Sequence, residues 1–68
     1  MTGKELKSIR KALGLSTKEL GRAFGYRGND NTISVQVRAY ESGGREIPPW
    51  IERLALMFKR HGVPSDWC

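Results

Sequence analysis

Residues 14–25 read GLSTKELGRAFG, and residues 32–43 read TISVQVRAYESG. The first string holds one short helix between two glycines. Ser16 followed three positions later by Glu19 has the spacing of a capping box, in which hydroxyl and carboxylate each satisfy an amide of the first turn. Leu20, Ala23 and Phe24 fall on one face before Gly25 closes the segment, so a helix of about two turns is expected. In the second string Ile33, Val37 and Tyr40 form an i, i+4, i+7 stripe that stops at Gly43-Gly44. A strand over residues 32–37 is the alternative, because that run is β-branched. The spacing continues through Tyr40, which favours a helix starting near Asn31 or Thr32.

The flanks follow the same rules. Thr2 and Glu5 make a second capping-box pair ahead of Leu6, Ile9 and Leu13. Gly14 supplies the left-handed stop, and Leu15 is placed to fold back onto the helix it follows. Between the two quoted strings, residues 25–31 are rich in Gly, Asn and Asp and read as a loop. Pro48-Pro49 open a fourth helix, where a proline in the first turn is tolerated. Its apolar face is Trp50, Ile51, Leu54, Ala55 and Phe58, and Gly62 and Pro64 end it. Four helices without strand pairing give an all-α domain over residues 1–68. The first two helices are joined too tightly to lie antiparallel, which suggests the steep crossing of a helix-turn-helix unit.

Size and composition bound the function. A 68-residue chain has room for one modest core, and domains of this size bury only about 60% of the surface their unfolded chains expose. Cys68 is the sole cysteine, so no internal disulfide and no zinc site is expected. The amphipathic N-terminal stretch lacks the apolar core of a signal peptide, and no apolar run approaches the roughly 20 residues of a membrane span. A soluble cytoplasmic protein is the expectation. His61 stands alone near a helix C-terminus, where a charge–dipole role suffices. Ser8, Ser16 and Ser34 carry no nucleophile signature, and the glycines match no phosphate-binding fingerprint. Neither enzyme chemistry nor a cofactor, metal or small-molecule ligand is expected. Twelve Lys and Arg against seven Asp and Glu give a net charge of +5, a balance that gathers phosphate-bearing partners.

Taken in order, these pieces resemble the lambda-repressor-like (Cro/C1, Xre-type) helix-turn-helix regulators. The resemblance runs from Leu6-Lys7-Ser8-Ile9-Arg10 through Gly14-Leu15-Ser16-Thr17-Lys18-Glu19-Leu20. It resumes at Tyr40-Glu41-Ser42-Gly43 and Ile47-Pro48. The tail over residues 62–67 looks like the start of the family's fifth helix, cut off at Cys68. The family usually has Gln at the position of Thr17 and Ala at that of Gly21. Gly25 also precedes Tyr40 by fifteen positions, more than the family spacing, so the loop before the recognition helix is extended. The resemblance implies a four- to five-helix domain that binds a double-stranded DNA operator, as a homodimer on two half-sites about one helical turn apart. Its function would be that of a small repressor or autoregulator.

The site residues follow from that geometry. With Ile33, Val37 and Tyr40 facing the core, Ser34, Val35, Gln36, Arg38 and Ala39 are left for the groove or solvent, in a recognition helix over about residues 32–42 that Thr32 opens. Arg38 has the fork that reads guanine O6 and N7 together, Gln36 suits adenine or a phosphate, and Val35 and Ala39 suit thymine methyls. Thr17 and Lys18 sit at the N-terminus of the second helix, a natural phosphate site. Arg45 occupies the loop that grips the opposite phosphate flank in related proteins. Arg27 and Asn29 lie in the loop, which either reaches DNA or is a solvated excursion. The resemblance pairs Arg10 with Glu41, tying the recognition helix to the scaffold. Leu56, Met57 and Trp67 either form a dimer patch or finish the core. The competing reading is a protein-interaction module on the same fold, with little DNA affinity of its own.

Overall fold

The computed structural model describes residues 1–67; Cys68, the sole cysteine, lies outside them. Four helices follow one another, and no strand occurs among the described residues: α1 (Gly3–Ala12), α2 (Thr17–Ala23), α3 (Asp30–Glu41) and α4 (Pro49–His61). Both capping boxes form. Thr2 and Glu5 close α1, and Ser16 and Glu19 close α2, with side chain and backbone satisfied reciprocally at each. Each of these helices also ends on a left-handed glycine. At Gly14 (φ 72°) the Leu15 amide returns to the Arg10 carbonyl, and at Gly25 (φ 99°) the Tyr26 amide returns to the Gly21 carbonyl. These wraps satisfy carbonyls that a helix end leaves free and bring Leu15 and Tyr26 back against the core.

The core gathers one stripe from each helix. Leu6, Ile9, Leu20, Ala23, Phe24, Val37, Tyr40, Ile51, Ala55 and Phe58 form a single buried cluster, and Ile33 is buried as well. Phe24 and Phe58 stack at 5.8 Å between ring centroids, a pairing that contributes roughly 0.5–1.5 kcal/mol beyond the area it buries. The stripe of Ile33, Val37 and Tyr40 is therefore the inner face of a helix, and the strand alternative falls away.

Several expectations need correction. α3 begins at Asp30, earlier than Asn31 or Thr32, because the Asn29 side chain accepts the Thr32 amide at 2.8 Å and caps it. Two residues assigned to the loop thus belong to the helix, and the connection shortens to residues 24–29. Trp50 was expected on the buried face of α4 but is 48% exposed; one position before Ile51, its ring reaches sideways to Tyr26 at 6.1 Å. The start of a fifth helix is absent among the described residues: residues 65–67 make a turn in which the Trp67 amide returns to the Pro64 carbonyl at 3.0 Å. No helix of the described residues is long and apolar enough to cross a membrane.

Candidate nucleic-acid interface

α2 and α3 pack as a helix-turn-helix pair, and one glycine sets how closely they meet. A β-carbon built on Gly21 would lie 2.2 Å from Ile33 Cγ2 and 3.2 Å from Val37 Cγ2. The methyl of Ile33 fills the space that an alanine would need. This accounts for glycine at Gly21: the closest approach of α2 falls opposite a β-branched residue of α3.

The rear of α3 is fastened at both ends. At its C-terminus the Arg10 guanidinium grips Glu41 in two bonds, Nε to Oε2 at 2.7 Å and Nη2 to Oε1 at 3.1 Å. A third bond runs from Arg10 Nη1 to the Leu15 carbonyl at 3.1 Å. The planar fork thus joins α1, the turn that follows it and α3. At the N-terminus, Asp30 receives Arg22 and, at 3.5 Å, Lys18, both from α2. The Arg22 hydrogen bond, followed by the field of Lys18, holds the Asp30 carboxyl below its ordinary range. Asp30 also lies in the first turn of α3, where the helix dipole favours a negative charge. This Arg22–Asp30–Lys18 cluster was missed in the sequence. Lys18 and Arg22 stand twelve and eight positions before Asp30, and only the bend between the helices brings them to it.

The outward side of α3 follows from the turn of about 100° per residue. Val35 and Ala39 make the ridge opposite the core, with Val35 52% exposed and Ala39 half-buried. Thr32 and Arg38 are exposed beside that ridge, and Arg38 has no ion-pair partner among the described residues. Gln36 is half-buried on the flank, where its side-chain oxygen accepts a hydrogen bond from Arg45 Nη1. Two residues expected at the interface from separate segments are therefore in contact.

Ser34 does not belong to this surface. It is 8% exposed and faces α2, where Thr17 Oγ1 donates to its hydroxyl at 3.1 Å. The reason is angular: Ser34 lies next to Ile33 and three positions before Val37, on the inner half of the helix. The same bond turns the Thr17 side chain toward α3, and Lys18 is drawn toward Asp30. Asn29 has its carbonyl oxygen occupied by the cap, whereas Arg27 is exposed in the connecting loop. The Ser16 amide, and after it the Ser16 hydroxyl, holds the Glu19 carboxyl below its ordinary range, which keeps that cap charged.

No family model, curated protein or solved structure matches the chain.

Two further features frame it. Tyr26 from the loop and Tyr40 from α3 share a hydrogen bond at 2.7 Å between their hydroxyls. Burial first, and then that bond, push the Tyr26 hydroxyl above its ordinary pKa. The loop is thereby anchored to the helix it precedes. Leu56 and Met57 line one shallow depression on α4, but Trp67 is not part of it. The Trp67 ring meets Phe58 edge-on at 5.9 Å and borders a second depression with Arg22, Tyr26 and Leu54. The three residues read as either a dimer patch or the finish of the core therefore lie in two places. Among the described residues no three His, Cys, Asp or Glu side chains gather as a metal would require.

Proposed function

We propose that the chain is a sequence-specific duplex-DNA-binding regulator of the lambda-repressor-like kind, acting as a repressor or autoregulator in the cytoplasm, and not an enzyme. The observation that carries this reading is the outer surface of α3. Val35, Ala39, Thr32 and Arg38 point away from a helix whose rear is fixed to α1 by Arg10 and to α2 by Arg22 and Lys18. A helix tied to the scaffold by the largely buried Arg10–Glu41 pair, with a small apolar ridge flanked by an unpaired arginine, suits the major groove. There an arginine fork reads guanine and apolar groups meet thymine methyls.

The remaining contacts divide between positioning and reading. Arg45, with Gln36 bonded to it, approaches the phosphate flank beyond the C-terminus of α3. In this reading it fixes register, and Gln36 reaches DNA only when Arg45 turns to a phosphate. Arg27 supplies a further backbone contact from the loop. Lys18 is shared between Asp30 and a phosphate, which lowers its contribution. Ser34 and Thr17 leave the set of direct contacts and become the joint that aims α3. A second copy on a neighbouring half-site completes the proposal.

Selection of bound sequences from a random duplex pool tests the reading. A symmetric enriched motif with half-sites about one helical turn apart is the expected result. A pool no different from its starting composition would overturn the proposal.

A further inference from the structure

The outer face of α4 carries a second surface, unconnected with α3. Arg53, Leu56, Met57 and Arg60 follow one another at i, i+3, i+4 and i+7, so they share one side of the helix. With Lys59 and His61 they line an open depression of about 610 Å³. Leu56 is 49% exposed and Met57 40% exposed, two adjoining apolar side chains that the core does not use. No carboxylate takes part in the lining. Glu52, the single acidic residue of α4, sits in its first turn.

From this juxtaposition we infer that the Leu56–Met57 face is a docking surface for an acidic amphipathic segment of a partner protein. Its apolar side chains would cover Leu56 and Met57, and its carboxylates would meet Arg53, Lys59 and Arg60. The charge pattern selects this occupant over a second copy of the chain. A symmetric dimer places the same patch against itself, which would set the basic rim of Arg53, Lys59 and Arg60 against an identical basic rim, and like-charge juxtaposition disfavours that pairing. A head-to-tail contact fares no better, because the described residues offer no acidic face. Glu5 and Glu19 are held in capping boxes, Glu41 by Arg10, and Asp30 by Arg22 and Lys18. Glu46, Glu52 and Asp66 are scattered over a loop, α4 and the tail. A phosphate backbone would satisfy the cations but leave the two apolar side chains against a hydrated strand. Methionine beside leucine also gives an adaptable apolar contact for the face of an amphipathic helix.

The test titrates the nitrogen-15-labelled chain with a synthetic peptide that carries leucines on one helical face and glutamates on the other. Amide shifts are followed residue by residue. The expected result is saturable shifts centred on Arg53, Leu56, Met57 and Arg60. The double variants L56S/M57S and R53E/R60E should each weaken binding about tenfold or more. These side chains are exposed, so circular dichroism should show both variants folded, and binding to the selected DNA by L56S/M57S should be unchanged. The inference is overturned if the α4 amides do not move, or if polyglutamate binds as tightly as the peptide. It is equally overturned if phosphatidylserine vesicles or duplex DNA occupy the face with the same dependence on Leu56. Self-association in sedimentation that L56S/M57S abolishes would also overturn it, by assigning the face to a second copy.

Discussion

Replacing Glu41 by alanine tests the scaffold behind α3. The Glu41 side chain is 7% exposed and that of Arg10 15% exposed, and two bonds join them. Removing the carboxylate leaves a largely buried guanidinium with only the Leu15 carbonyl as partner. Breaking a buried pair in this way typically costs 3–5 kcal/mol. The residual exposure of Arg10 lets water recover part of the loss, so about 3 kcal/mol is expected here. A chain of this length has a total stability of roughly 3–10 kcal/mol, so the loss is a large share of it. At 4–8 °C per kcal/mol for a small domain, the melting temperature should fall by about 12–24 °C. Thermal denaturation followed by circular dichroism measures this directly. The double variant R10M/E41L removes both charges and replaces them with apolar side chains, so it should recover most of the loss. A melting temperature for Glu41→Ala within about 2 °C of the parent would refute the reasoning, since that corresponds to less than about 0.5 kcal/mol. DNA affinity of the double variant then separates holding α3 together from aiming it.

Gly21→Ala sets a helix-propensity gain of about 1 kcal/mol against overpacking on Ile33, which typically costs 1–3 kcal/mol. Net destabilisation in urea is expected, and a stabilised variant would show that α2 and α3 separate freely. Asp30 and Glu19 both titrate below their ordinary values, so their contribution is complete above the unfolded carboxyl pKa, near 4, and is lost as the pH falls through the folded values. The melting temperature should therefore hold from pH 7 to about pH 5 and drop below about pH 4. Asp30→Asn should flatten part of that drop, and an unchanged acid slope would remove the Arg22–Asp30–Lys18 cluster from the account. Tyr26 titrates above its ordinary value, so alkaline destabilisation should begin as the unfolded phenol ionises near pH 10; Tyr26→Phe should lessen it. Arg38→Ala should abolish preference among duplex sequences with little change in the salt dependence of binding. Arg27→Ala should instead reduce the slope of log K against log salt by about one. Reversed outcomes would exchange the reading and positioning roles.

Much of the scaffold was legible because its signals are local. A capping box needs two residues three positions apart, a left-handed stop needs one glycine, and an amphipathic stripe repeats within a single helix. Thr2, Ser16, Gly14, Gly25 and the Ile33–Val37–Tyr40 stripe therefore announced helices, stops and inner faces from spacing alone. The resemblance to helix-turn-helix regulators further implied that Arg10 meets Glu41, and the two do meet. Where the spacing was ambiguous, at the start of α3, one hydrogen bond from the Thr32 amide to the Asn29 side-chain oxygen fixed the boundary.

Only the tertiary structure decided which polar residues are free. The sequence leaves both Ser34 and Arg38 for the groove or solvent, but the packing of α2 on α3 buries one against Thr17 and leaves the other in solvent. The same packing joins Gln36 to Arg45, assembles Arg22, Lys18 and Asp30, and separates Trp67 from Leu56 and Met57. Helix formation depends on neighbours within one turn, and the sequence prints those directly. The interface depends on distances between side chains of different helices, and those exist only once the helices have packed.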